Sequence, residues 1–197
     1  MVYSATPQST PSAEELQFIF RSDRLCLAFC ATVGERWGRG FERLVTPGHL
    51  ARWYADALIP DVPVPVTDAD LGAARILREA VYRTAGALIG AQPPAPEDQA
   101  VINRAAEAPP PVPRMEGGTL VLVPVWPGSA ASAMSAVARD AIGLFTGPDV
   151  KRLRECASPE CGLLFVDLSR PGRRRWCSSD ACGGKARAAS YRRRQAG

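Results

Sequence analysis

The stretch that decides the reading is CASPECGLLFVDLSRPGRRRWCSSDAC, residues 156–182. Its cysteines obey the spacing Cys156-x4-Cys161-x15-Cys177-x4-Cys182. Two close pairs with about 12–20 residues between them are the pattern of a tetrahedral zinc site. Each pair forms a knuckle that presents two sulfurs from one turn, and the intervening segment must be long enough to double back. Leu163–Val166 and Arg174–Trp176 suit two short strands, with Ser169-Arg170-Pro171-Gly172 as the turn between them. Ser178 or Ser179 can then cap a helix containing Cys182. Knuckle, hairpin, and knuckle entering a helix form a treble-clef-like order. Redox disulfides or unrelated thiols are the competing readings. Four cysteine ligands leave no open coordination position, so one Zn2+ here is structural rather than catalytic.

Charge divides the chain at the same place. Residues 1–150 carry 12 Lys and Arg against 16 Asp and Glu, a balance of −4. Residues 151–197 carry 12 against 4, a balance of +8. An acidic body with a basic module points to an anionic partner, most often nucleic acid. The residues offered for that contact are Arg173, Arg174, Arg175, Lys185, Arg187, Tyr191, Arg192, Arg193 and Arg194. The bland alternative is a solvated basic helix, since Arg and Ala are good helix formers.

The rest of the 197-residue chain reads as a mainly α-helical body. Pro47 starts a helix capped by Thr46, with Leu50, Trp53, Tyr54, Ala57 and Leu58 on one face and Pro60 as its stop. Thr67 and Asp70 resemble a capping box before a long amphipathic helix that ends near Gly90. A short helix is expected over Glu97–Ala106 and another over about 131–146. Gly117-Gly118 marks a small β-hairpin. Residues 149–156 read as a further helix leading into Cys156, whereas 25–33 is apolar and ambiguous between helix and strand. The domain division expected is 1–148 for the body and 149–197 for the finger. Cys26 and Cys30 read as buried small hydrophobes, and His49, the only histidine, as a helix-surface residue. No nucleophile–base pair, phosphate-cradling glycine loop or open metal site is apparent, so no enzyme is expected. Without a signal-like N-terminus or a long apolar run, a cytoplasmic protein with reduced thiols is expected, away from membranes.

The C-terminal residues resemble the CGNR zinc finger. The shared positions are Cys161-Gly162, Phe165, Asp167, Ser169-Arg170, Arg175-Trp176-Cys177 and Cys182-Gly183. The body is similar to ABATE, the domain that accompanies this finger, through LCLAFCAT (25–32), TPGHLARWYADA (46–57) and LGAARILREAVYR (71–83). This resemblance implies a DNA-binding transcriptional regulator whose helical domain senses a signal or oligomerises, with a homodimer as one expected form. The alternative is a zinc-stabilised module that docks on RNA or an acidic protein without reading a DNA sequence. Two departures from the family pattern stand out: Gly184-Lys185 replaces its closing Asn-Arg, and Ala28 and Ala31 replace its Asp and Asn.

Overall fold

Six consecutive buried or half-buried residues, Leu25–Cys30, form the short helix α1 at the centre of the body. The computed structural model describes residues 11–22, 24–57, 65–123 and 129–195. Nothing in α1's own sequence caps it. Its free N-terminal amides find their partner across the fold, where the Cys26 N–H donates to Asp140 Oδ2 at 2.9 Å. Asp140 also pairs with Arg24 at 2.9 Å. The ambiguity of the apolar block is thus resolved by a carboxylate more than a hundred residues away.

The minimal strands β1 (Val33–Gly34) and β2 (Phe41–Glu42) follow, paired antiparallel. Helix α2 (Pro47–Ala57) starts where Thr46 accepts the His49 N–H, and the Thr46 N–H donates back to His49 Nδ1 at 3.2 Å. His49 therefore serves the helix start. Leu50, Trp53 and Tyr54 are buried as their spacing requires, whereas Leu58 and Pro60 lie outside the described residues. The long helix α3 (Asp68–Ile89) has the reciprocal Thr67–Asp70 capping box and ends at Gly90. Helix α4 (Pro96–Ala106) packs on α3 and on α5 (Ala130–Thr146). Strands β3 (Val112–Glu116) and β4 (Thr119–Val123) form the expected hairpin, and Gly117 and Gly118 supply φ of +55° and +81° at its turn.

One core runs through α1, α2, α3 and α5. It includes Leu27, Phe29, Trp53, Tyr54, Val81, Val137 and Leu144. It also takes in Leu153, Leu164 and Val166 from the cysteine-bearing segment. Cys26 and Cys30 sit inside it, and burial pushes the Cys30 thiol up to about 12 and raises Cys26 as well. Both remain neutral, packed thiols. Ala28 and Ala31 are buried too, so polar side chains at these positions would lie in the interior.

Two sequence expectations need correction. Residues 149–156 do not form a helix. Pro148–Arg152 is a single 3-10 turn, followed by β5 (Leu153–Glu155). An extended path places Leu153 in the core and leaves Glu155 to accept from Tyr82 and Trp37. Nor does Arg174–Trp176 form a strand. Strand β6 (Leu164–Val166) pairs instead with β5, in the register Leu153↔Val166 and Glu155↔Leu164. The hairpin thus encloses the first knuckle rather than following it. Asp167 explains the change: its carboxylate accepts the backbone N–H groups of Ser169 (3.0 Å) and Arg174 (2.9 Å) and turns the chain away from β6.

Candidate metal centre

The first two sulfurs come from the β5–β6 hairpin, the third from the loop after Trp176, and the fourth from the first residue of α6 (Cys182–Gln195). The Sγ atoms of Cys156, Cys161, Cys177 and Cys182 all lie within 4.8 Å of one another. Cys161 and Cys182 each approach Cys177, at 3.7 and 3.6 Å. Four sulfurs about 2.3 Å from a central zinc stand about 3.8 Å apart in a regular tetrahedron, so the set fits the ion. Among the described residues, no His or carboxylate belongs to the cluster. The site is therefore closed, and the ion it takes is one structural Zn2+.

Thiol chemistry agrees. Hydrogen bonding from Cys161 and Cys177 pulls the Cys156 thiol down, while the same contacts with Cys156 push Cys161 and Cys177 up. Four thiolates this close repel, and only a bound cation lets all four be ionised together. Zinc supplies that charge. The chain supplies the frame: Cys177 N–H points at Cys156 Sγ (3.4 Å), and Ala157 N–H donates to Arg175 C=O (2.9 Å). These bonds tie the second half of the site to the first.

The basic residues separate into distinct groups. Arg174 braces the centre: its Nε donates to Trp176 C=O (2.8 Å), another of its nitrogens reaches Cys177 C=O, and its guanidinium lies 4.7 Å from the Phe165 ring. Arg173, Arg174 and Arg175 line a cleft of about 600 Å3 with Trp176 and Ser179. Arg187, Tyr191 and Arg194 line a second, of about 640 Å3, which also reaches Trp176. Arg192 and Arg193 lie exposed at the end of α6, outside both clefts. Lys185 points elsewhere, into a groove shared with the body. Trp176, one of the positions shared with the CGNR pattern, lines both clefts.

A second set had no signal at all. The loop after β1 grips the first knuckle: Arg36 N–H donates to Cys161 C=O (3.2 Å) and Trp37 N–H to Glu160 C=O (3.3 Å). The Tyr82 hydroxyl donates to Gly162 C=O at 2.9 Å. The Arg36 guanidinium lies 3.9 Å from the Tyr82 ring and pairs with Glu79 at 2.8 Å. Body and finger are joined through these contacts.

The double glycine after Cys182 also divides by role. The Cβ of an alanine at 183 would meet Ser178 O and Trp176 Cδ1 at 3.3 Å, whereas one at 184 would meet nothing closer than 3.9 Å. An alanine at 183 would thus need Ser178 or Trp176 to give by a few tenths of an ångström. Gly184→Ala is expected to stabilise the finger by about 1 kcal/mol, the helix-propensity difference, and Gly183→Ala to lose that gain. Chemical denaturation of the zinc-loaded chain followed at α6 checks the pair. Equal effects would show that the crowding at 183 is relieved by small shifts.

The comparisons agree with this geometry. Residues 23–148 match the ABATE family, described as "Putative stress-induced transcription regulator". Residues 152–195 match the CGNR zinc finger. No curated protein matches the chain. Both matched families are of regulator and zinc-finger type rather than enzyme families. Among the described residues, no helix is long and apolar enough to cross a membrane. With its four-cysteine centre seated on the helical body, the chain belongs to the ABATE family and carries a C-terminal CGNR zinc finger.

Proposed function

We propose that the protein is a DNA-binding transcriptional regulator in which residues 149–197 contact nucleic acid and residues 1–148 sense a signal or oligomerise. The observation that carries this reading is the pair of arginine-lined clefts meeting at Trp176. Guanidinium groups recognise phosphates bidentately, and the Arg175 guanidinium, 5.1 Å from the Trp176 ring, is set beside that indole. Helix α6 supports the same reading. It is basic along its length, only Gly183 is buried, and its last turn carries Arg192, Arg193 and Arg194. Its exposed length is free to lie along a duplex.

The test is binding of a labelled random duplex and of genomic fragments by the zinc-loaded chain across salt concentration. About six phosphate contacts predict an affinity loss on the order of 10³ between 50 and 200 mM salt. Replacing Arg175, Arg187 and Arg194 together by Gln should lower the slope of log affinity against log salt by about one per residue. Gly184-Lys185 keeps one cation and loses a bidentate fork, so phosphate binding is expected to exceed discrimination between sequences. Absence of binding at about 50 mM salt removes the reading, and preference for RNA or for an acidic protein replaces it.

A further inference from the structure

The groove that Lys185 enters also reaches the metal centre. Cys161, Cys177 and Cys182 line it, and Cys156 does not. The four ligands therefore differ in access. Cys161 and Cys182 are half-buried, whereas Cys156 and Cys177 are buried. Cys177 touches both of the reachable sulfurs, at 3.7 Å from Cys161 and 3.6 Å from Cys182. Cys156 is set apart again by the Cys177 N–H that points at its sulfur.

The two reachable sulfurs are held unequally. Cys161 belongs to the knuckle that Arg36, Trp37 and Tyr82 of the body grip through the carbonyls of Cys161, Glu160 and Gly162. Among the described residues, no hydrogen bond joins 176–195 to the body. Cys177 and Cys182 share that segment and are separated by only four residues. A disulfide needs its sulfurs about 2.05 Å apart. Cys177 and Cys182 close that distance by a local movement of the loop and the start of α6. Cys161 and Cys177 close it only by pulling on a knuckle that the body holds.

Charge decides which oxidant enters. The groove carries Glu14, Glu15 and Glu35 against Arg21, Arg43 and Lys185. Four thiolates on one Zn2+ leave the centre itself anionic. The walls are thus net negative, and a neutral oxidant is the class they admit.

We propose that the finger is a redox switch: a neutral peroxide entering this groove oxidises Cys182 and Cys177 to a disulfide, and the chain gives up its zinc. The Cys182 thiolate attacks one peroxide oxygen; the O–O bond breaks, hydroxide leaves and Cys182 becomes a sulfenic acid. The Cys177 thiolate then attacks the Cys182 sulfur; the S–S bond forms, the S–O bond breaks and a second hydroxide leaves. Two electrons pass from the two sulfurs to the peroxide. Only Cys156 and Cys161 remain as thiolates, half of the ligand set. Because Cys182 is the first residue of α6, the change is delivered to the helix that carries Arg187, Tyr191 and Arg194. The switch stands apart from nucleic-acid binding, since it is read out in thiols, metal and helix content.

The test treats the zinc-loaded full chain with millimolar hydrogen peroxide, follows released zinc with a chromogenic chelator, and maps disulfides by mass spectrometry after alkylation. Expected is one zinc released per first disulfide formed, with that disulfide joining Cys177 to Cys182. Circular dichroism should show loss of α6, and a phosphine reductant with added zinc should restore it. Cys26 and Cys30, buried in the body, should stay reduced. Histidine also ligates zinc, so Cys156→His and Cys182→His each keep a four-ligand site. Cys182→His should slow zinc release about tenfold, while Cys156→His should release at the parent rate. Where either variant fails to hold one zinc per chain, the disulfide map of the parent decides. A first disulfide that contains Cys156 or Cys161, zinc retained under peroxide, or equal rates in the two variants overturns the proposal.

Discussion

Cys177→Ser is expected to take zinc from one ion per chain to none and to melt residues beyond about 155, α6 included. Cys177 is the hub of the cluster, within 3.7 Å of both Cys161 and Cys182, and its N–H faces Cys156 Sγ. A structural zinc is worth on the order of 10 kcal/mol in small fingers, more than the few partly buried side chains around this one can replace. The loss does not stop at the metal. Leu153, Leu164 and Val166, which the hairpin holds in position, belong to the core of the body. Exposing them costs on the order of 5 kcal/mol, a large part of the stability of an ordinary domain. The helices of the body should therefore persist at room temperature but melt well below those of the parent. Zinc per chain, circular dichroism and thermal melting check this together. An unchanged melting temperature after metal loss would falsify the shared core. Acid should act in the same direction, since zinc release requires only that the thiolates be protonated.

Gly162→Ala is expected to destabilise the zinc-loaded protein by about 3 kcal/mol. Gly162 has φ +65°, where an L side chain costs roughly 1–2 kcal/mol. Its Cβ would also lie 2.7 Å from Arg36 Cβ and 3.2 Å from Trp37 Cδ1. Forcing atoms into a packed contact of this kind adds about 1–3 kcal/mol. The change strikes the junction where the loop after β1 holds the first knuckle, and it also displaces the carbonyl that accepts from Tyr82. The midpoint of urea denaturation should fall with little change in slope. A shift below about 0.5 kcal/mol would show that the knuckle and the body loop separate freely, and with them the link between the two halves of the molecule.

Much of the site was open to inspection in the primary structure because its determinants are local. Four cysteines at knuckle spacing name their own ligand set, and the structure places them within 4.8 Å of one another. The Thr67–Asp70 box, the start of α2 and the Gly117-Gly118 turn are likewise decided by neighbours three or fewer residues apart. Elements whose stability is set at a distance were not legible. Strand β5 looks helical by composition and is drawn into extended pairing by β6, on the far side of the knuckle.

Residue types and spacings alone determined a helical body, a closed four-thiolate zinc centre and a basic C-terminal helix. Each follows from interactions that the chain makes with itself over a few residues, or from a ligand set countable by eye. Only the tertiary structure decided which way each side chain of α6 faces. It sends Lys185 into the groove beside Arg43 while Arg187, Tyr191 and Arg194 join Trp176. It also decided that Arg174 braces the metal loop, that Asp140 caps α1, and that Arg36, Trp37 and Tyr82 join finger to body. These partners are brought together by burial of one common core. Hydrophobic burial is non-directional in sequence, so pattern alone does not say which distant surfaces it will press together.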